Sequence, residues 1–187
     1  MNNTCKLVIL DRDGVINFDS EKFIKTPEEF IPIPGSLEAI AKLNKSNIKV
    51  VVATNQSGIG RKLFSLETLQ KIHQKLITEL AKINGHIDEV IFCPHHPHDK
   101  CNCRKPKTGM LDELYIKYKI PKNETVLIGD SWRDIEAAKK FGCNAILVLT
   151  GKGQKTLAEH KSELKNIPIF ETLADAIKKS TNLIDRI

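Results

Sequence analysis

An α/β fold with a mostly parallel sheet is what this 187-residue sequence predicts. Two observations carry that prediction. Apolar runs of strand length alternate along the chain with segments of helical periodicity, the pattern of parallel strands joined by crossover helices. Three of those runs also end in polar, chemically capable residues, and ligands of open parallel sheets bind beyond the carboxyl ends of the strands. With 41 % hydrophobic and 28 % charged residues the chain has ordinary globular composition and enough length for a sizeable core, so one domain over residues 1–187 is expected.

The first run, Leu7-Val8-Ile9-Leu10, is apolar throughout and reads as a strand buried on both faces. Asp11, Asp13 and Gly14 follow it at once. A solvated Asp-Gly turn would account for these three residues alone. Residues 16–34 hold charges and three prolines without sustained periodicity; they read as a loop with a short hairpin, near enough to overhang the two carboxylates. Pro34-Gly35-Ser36 opens a helix, with Ser36 as its cap and Leu37, Ile40, Ala41 and Leu43 as its apolar stripe.

Residues 48–53 form the second strand, which runs into Thr54-Asn55-Gln56-Ser57 and then Gly58 and Gly60. These glycines lack the spacing of a dinucleotide fingerprint. A long amphipathic helix follows from Ser65, with Leu66, Leu69, Ile72, Leu76, Leu80 and Ile83 on one face and Gly85 at its end. The third strand, 90–92, enters a segment rich in cysteine and histidine. A helix over 109–118, a strand over 125–128 closed by Gly129-Asp130, a helix over 132–141 and a fifth strand over 145–149 come next. Two weaker helices, near 156–164 and 173–179, complete the chain.

The net charge of +6 permits a nucleic-acid partner, but the lysines are scattered and aromatic residues make up only 5 % without a stacking cluster. A basic surface that attracts a small anionic substrate is expected instead. No apolar stretch is long enough to span a bilayer, and the polar start of the chain lacks a signal-peptide pattern, so a cytoplasmic location without a membrane partner is expected. No apolar strip is left over once the core is assigned, which points to a monomer.

The strand ends bring together carboxylates at Asp11, Asp13 and Asp130 and a hydroxyl at Thr54, with Arg104 and Lys105 after the third strand. Converging carboxylates suit a hard divalent cation such as Mg²⁺, which also takes phosphate oxygens as ligands. Lys105 and Thr54 would then meet the phosphate as point charge and neutral donor. Cys93, Cys101 and Cys103 crowd into one segment, and clustered thiols in a cytosolic chain argue for metal rather than disulfides. With one histidine they offer four ligands for a closed structural Zn²⁺; spacing alone leaves His95, His96 and His98 open as the imidazole. Cys5 and Cys143 read as small buried apolar residues, and His73, His86 and His160 as solvent-facing or core residues.

Asp11-Arg12-Asp13-Gly14-Val15, Thr54-Asn55-Gln56, Arg104-Lys105-Pro106 and Gly129-Asp130-Ser131-Trp132-Arg133-Asp134 resemble, in order, the four motifs of the haloacid-dehalogenase-like (HAD) phosphatases over roughly residues 5–150. Within that superfamily the chain is similar to the group of heptose 1,7-bisphosphate phosphatases and histidinol-phosphatases. Residues 53–61, the segment Cys93-Pro94-His95-His96-Pro97 and the segment Cys101-Asn102-Cys103-Arg104-Lys105-Pro106 carry that similarity, with Thr26-Pro27-Glu28-Glu29-Phe30 and Pro34-Gly35 in support. The span between His95 and Cys101 is short, which bears on the substrate entrance.

The resemblance implies a Rossmann-like three-layer sandwich with a minimal cap and a zinc-binding loop over about 93–103. It implies Asp11 as the nucleophile that forms an aspartyl-phosphate and Asp13 as general acid and base. Thr54 and Lys105 would stabilise the phosphoryl oxygens, with Mg²⁺ on Asp11, Asp130 and the Asp13 backbone carbonyl. Asp134 would support the metal site from behind or simply favour its helix dipole. Asn55, Gln56, Ser57 and Arg104 would bind substrate, Arg104 gripping a second phosphate. Cys93, His95, Cys101 and Cys103 would hold Zn²⁺ and pin the loop that delivers Arg104 and Lys105. The implied reaction is removal of the 7-phosphate of a heptose 1,7-bisphosphate in cell-envelope polysaccharide synthesis. Histidinol phosphate is the alternative substrate, and a zinc-stabilised binding module with an inactive site is the non-enzymatic alternative. A polynucleotide 3′-phosphatase has little support, because no P-loop or second nucleotide-binding segment is present.

Overall fold

The computed structural model describes residues 5–179. Residues 1–4, on which part of the reading of the N-terminus rests, lie outside them. The chain runs β1 (Leu7–Leu10), α1 (Ser36–Lys45), β2 (Lys49–Asn55), α2 (Ser57–Gly60), α3 (Leu66–Ala81), β3 (Glu89–Cys93), α4 (Gly109–Tyr118), β4 (Thr125–Gly129), α5 (Trp132–Phe141), β5 (Asn144–Val148), α6 (Gly153–Glu159), β6 (Ile169–Phe170) and α7 (Leu173–Lys179). Six strands form one sheet in the order β3-β2-β1-β4-β5-β6, and every pairing is parallel.

The period of two along each strand sorts the core into two layers. Val8, Leu10, Val50, Val52, Val126 and Ile128 face one side, packed with Ile40 and Leu43 of α1, Ile72, Leu76 and Leu80 of α3, and Ile177 of α7. Leu7, Ile9, Val51, Ala53 and Leu127 face the other, packed with Leu111 and Leu114 of α4 and Ile135 and Phe141 of α5. The apolar character of β1 at every position follows, since it lies between two helical layers. Each such Leu, Ile or Val contributes roughly 1.5–3 kcal/mol by its burial.

β1 and β4 are neighbours whose chains leave in opposite directions, one toward β2 and the other toward β5. That reversal opens a crevice at the carboxyl ends of the two strands, where open α/β sheets bind ligands. Asp11 leaves the end of β1 and Asp130 the end of β4, so the two are placed on either side of it. The Asp11 N–H donates to the Ile128 carbonyl at 3.0 Å, which holds the start of the loop against β4.

Several local readings are corrected. β6 was not among the expected strands: it has two half-buried residues at the sheet edge, too short to show an apolar run. The cap of α1 is Gly35, at φ +82°, while the Ser36 hydroxyl donates to the Ile16 carbonyl at 2.7 Å and ties down the long loop. The hairpin expected within 16–34 reduces to an Asn17–Pro32 bridge beside a short 3₁₀ turn, Pro27–Glu29. Ser65 does cap α3, accepting from the Thr68 N–H at 3.1 Å. That helix stops at Ala81 rather than at Gly85, whose N–H reaches back to the Leu80 carbonyl. The helix expected near 156–164 is α6, which begins earlier because the loop after β5 turns straight into it. Among the described residues, no helix is long and apolar enough to cross a membrane.

Candidate active site and metal centres

The crevice widens into a cavity of about 590 Å³ lined by Asp11, Asp13, Thr54, Asn55, Gln56, Ser57, Arg104 and Asp130, with Phe23, Trp132, Arg133, Lys152 and Lys155 farther out. At its floor Asp11, Asp130 and Asp134 each offer a carboxylate oxygen, all within 4.8 Å of one another. Burial first, then the like charges of Asp134 and Asp13, push the Asp11 carboxyl up to about 6 against the pull of Lys105. Burial, Asp134 and Asp11 push Asp130 up to about 8. Lys105 is buried with them, its Nζ 3.2 Å from Asp11 and 2.6 Å from Asp134. Although burial works against its charge, these two carboxylates hold Lys105 in the ammonium form. Three carboxylates against one ammonium leave an excess of negative charge that a divalent cation with oxygen ligands would offset, so the donor set fits Mg²⁺.

Asp13 was expected to meet Mg²⁺ through its backbone carbonyl, and its carboxylate lies outside the acidic group. It turns to the neighbouring Arg12, whose Nε and Nη2 donate to it at 2.9–3.0 Å, and to Asn17 and Gln56, each donating at 2.9 Å. Burial alone would raise its pKa, yet the Arg12 charge and these hydrogen bonds hold it below the usual carboxylate range. The carboxylate that takes its place in the cluster is Asp134, brought back over the end of β4 by one turn of α5. The Ser131 N–H and hydroxyl both donate to Asp134 Oδ2 at 3.1 and 2.6 Å, and Oδ1 faces Lys105.

The residues of the second motif have distinct positions. Thr54 is buried at the end of β2, its Oγ1 accepting from Gln56 Nε2 at 2.9 Å, so Gln56 bridges Thr54 and Asp13. Asn55 lines the cavity and also clamps Lys105 with its carboxamide: Oδ1 accepts from the Lys105 N–H and Nδ2 donates to the Lys105 carbonyl, both at 3.1 Å. Parallel pairing of Asn55 with Cys93 puts that clamp beside the cysteine segment. Ser57 begins α2 and faces the cavity. Arg104 is half-buried near Arg133; burial and that like charge together lower its pKa, and two guanidiniums held close make a place for an anion.

Two features went unread in the sequence. Arg12, wholly buried beside Asp13, is one of them. The other is the loop after β5, where the Lys152 N–H donates to Asp130 Oδ2 at 2.7 Å and the Thr150 hydroxyl to the Gly14 carbonyl at 2.6 Å. Gly14 and Gly151, at φ +83° and +56°, face each other across Asp130, and a Cβ on either would overlap its Oδ2. The run Thr150-Gly151-Lys152-Gly153 after an apolar strand was the available signal, a further strand end of the same kind as the others.

The cysteine segment forms the second centre. One atom each from Cys93, His95, Cys101 and Cys103 lies within 4.8 Å of the rest. Cys93 Sγ is 3.6 Å from His95 Nδ1 and 3.7 Å from Cys101 Sγ, and His95 Nδ1 is 3.2 Å from Cys103 Sγ. A tetrahedron with zinc–sulfur arms of about 2.3 Å has edges of about 3.8 Å, so the four donors fit Zn²⁺ with no position left open. His96 and His98 instead pair with each other, ring centroids 4.9 Å apart. Elsewhere, burial pushes the thiols of Cys5 and Cys143 up to about 12.

A HAD-hydrolase-like family model matches residues 102–176. The chain is 47 % identical over 171 residues, 91 % of each chain, to a D-glycero-β-D-manno-heptose-1,7-bisphosphate 7-phosphatase of Neisseria meningitidis. It is 48 % identical over 90 % of its length to the enzyme of the same name from Pseudomonas putida, of which it covers 95 %. A crystal structure of D,D-heptose 1,7-bisphosphate phosphatase from B. bronchiseptica, complexed with magnesium and phosphate, superposes with a TM-score of 0.92 at 44 % identity. The match covers 95 % of this chain and 99 % of that one.

Proposed function

Because the chain belongs to the HAD phosphatases, in the branch of the heptose 1,7-bisphosphate 7-phosphatases, we propose that it hydrolyses the 7-phosphate of D-glycero-β-D-manno-heptose 1,7-bisphosphate. The observation that carries this reading is the pair Asp11 and Asp13 lining the crevice, one in the acidic cluster and the other held apart from it. Mg²⁺ on Asp11, Asp130 and Asp134 would supply charge compensation between nucleophile and phosphate.

Asp11 attacks phosphorus and carries the phosphoryl group as an aspartyl-phosphate, which divides one slow hydrolysis into two faster steps. Asp13, ionised beside Arg12 in the free protein, would take up a proton when the phosphate dianion binds close by, give it to the departing sugar oxygen, and later take one from the water that cleaves the intermediate. Thr54 donates its hydroxyl hydrogen to a phosphoryl oxygen while Gln56 fixes that hydroxyl from behind. Lys105 opposes the burial that would keep Asp11 protonated and so favours the ionised nucleophile. Arg104 and Arg133 line the cavity where the uncleaved phosphate of a bisphosphate would lie. Zn²⁺ on Cys93, His95, Cys101 and Cys103 would fasten the loop directly before Arg104. One domain carries the whole reaction, as a monomer in the cytoplasm and without nucleic-acid or membrane partners. Thiols kept reduced for zinc and the scattered lysines support that setting.

The test is phosphate release, with Mg²⁺, from both anomers of heptose 1,7-bisphosphate and from histidinol phosphate side by side. A strong preference for the β anomer is expected. Preference for histidinol phosphate would keep the chemistry and move the substrate; no turnover of any of the three would overturn the reading.

A further inference from the structure

Arg12 stands between the two aspartates assigned to chemistry and has no exposed surface. A buried guanidinium needs partners on every arm, because it has five N–H donors and cannot give up its charge. Nε and Nη2 grip both oxygens of Asp13 at 2.9–3.0 Å. Nη1 points the other way, 3.2 Å from Nε2 of His73. His73 lies on the inner face of α3, 7 % exposed, 61 residues along the chain from Arg12.

The chemistry of this contact is one-directional. Arg12 can only donate, so Nε2 must be the unprotonated acceptor and the ring proton must be on Nδ1. Burial and the Arg12 charge push His73 down to about 3, against a small opposite pull from Asp13, in keeping with a neutral ring. His73 therefore acts as a fixed acceptor that sets the rotation of the guanidinium. The guanidinium plane in turn sets the plane of the Asp13 carboxylate, which Asn17 and Gln56 flank.

We infer that Arg12, held in register by His73, is a positioning residue that aims Asp13 at the leaving-group oxygen, and that α3 thereby serves the reaction from outside the cavity. The inference rests on the reading of Asp13 as acid and base. Proton transfer needs heavy atoms about 2.6–3.2 Å apart and aligned, and a displacement of about 1 Å can lower a rate a hundredfold. Without the His73 acceptor, Nη1 becomes an unpartnered buried donor, and the guanidinium turns to satisfy it at the expense of its grip on Asp13.

The experiment compares, by rapid quench with Mg²⁺ present, the rate at which the leaving alcohol or phenol first appears, before the intermediate is cleaved, for two substrates. Heptose 1,7-bisphosphate has a leaving oxygen that needs a proton; p-nitrophenyl phosphate has one that departs unaided. His73→Leu removes the acceptor, and His73→Gln keeps a neutral acceptor oxygen at nearly the same reach. His73→Leu is expected to slow the sugar phosphate about tenfold while the aryl phosphate stays within about twofold and KM is unchanged. His73→Gln should restore most of the loss. Arg12→Lys, which cannot form the fork, should show the same selective loss and keeps the test open if His73→Leu fails to fold.

Equal slowing of both substrates, or no slowing, would overturn the inference. Asp13→Asn is the reference. If it separates the two substrates and His73→Leu does not, only the positioning role falls. If Asp13→Asn slows both alike, the reading of Asp13 falls and the inference falls with it.

Discussion

Lys105 Nζ stands 2.6 Å from Asp134 Oδ1, with 1 % and 0 % of the two side chains exposed. Lys105 arrives on the loop after β3 and Asp134 on the first turn of α5, so this ion pair joins the cysteine-bearing loop to the acidic cluster.

Removing the ammonium leaves Asp11 and Asp134 buried against each other without a counter-charge. Lys105→Met is expected to lower stability by about 3 kcal/mol in urea unfolding with chelator present. The same variant should lose about a hundredfold in kcat, measured under Mg²⁺ saturation. A variant as stable and active as the parent would mean the pair is not what compensates the carboxylates.

Asp11 and Asp130 hold their protons up to about 6 and about 8, against 3.8 for a free carboxyl. The folded state thus binds these protons more tightly than the unfolded chain. Their stabilising contribution is complete below about pH 4 and falls as pH rises toward 8. Without metal, Tm should drop between about pH 5 and pH 8, and Asp130→Asn should flatten that drop. Mg²⁺ takes the place of the protons, so it should raise Tm more at pH 8 than at pH 5. Thermal scans with chelator and with Mg²⁺ measure both.

Cys101 and Cys103 are partly exposed, and Cys101 would supply one of the four ligands of a bound Zn²⁺. Cys101→Ser should reduce the zinc that elemental analysis finds per chain, lower Tm, and weaken substrate binding through the Arg104 loop. Stoichiometric zinc in that variant would remove Cys101 from the ligand set.

Arg104 lines the cavity beside Arg133 rather than at the carboxylate cluster. Arg104→Ala should raise KM about tenfold for a sugar bisphosphate and far less for the matching monophosphate. Equal effects on both would exclude contact with the second phosphate.

A methyl group at residue 151 would overlap Asp130 Oδ2, and the Lys152 N–H that orients this carboxylate lies next along the chain. Gly151→Ala should raise the Mg²⁺ concentration needed for half-maximal activity about tenfold, with the circular dichroism spectrum unchanged.

Local sequence patterns carry structural information where contiguous residues decide the outcome. The five longer strands, the main helices, the clustering of Cys93, Cys101 and Cys103 and the place of Asp11 and Asp130 at strand ends were legible, because a buried strand or a run of thiols shows itself in neighbouring residue types. β6 escaped because two edge residues make no pattern. The end of α3 was misplaced because Gly85 is a glycine for another reason: a Cβ there would press on Leu80 and Ala41 where α1 packs.

Sequence alone determined the parallel α/β plan and which strand ends bear chemistry, since periodicity and abrupt polar termini are properties of contiguous residues. Only the tertiary structure decided how the carboxylates divide. Asp13 leaves the cluster because Arg12 is anchored by a histidine 61 residues away, and Asp134 enters it because a helical turn and Lys105 bring it there. Buried charges take their roles from the partners that compensate them, and those partners are gathered by the fold from distant parts of the chain.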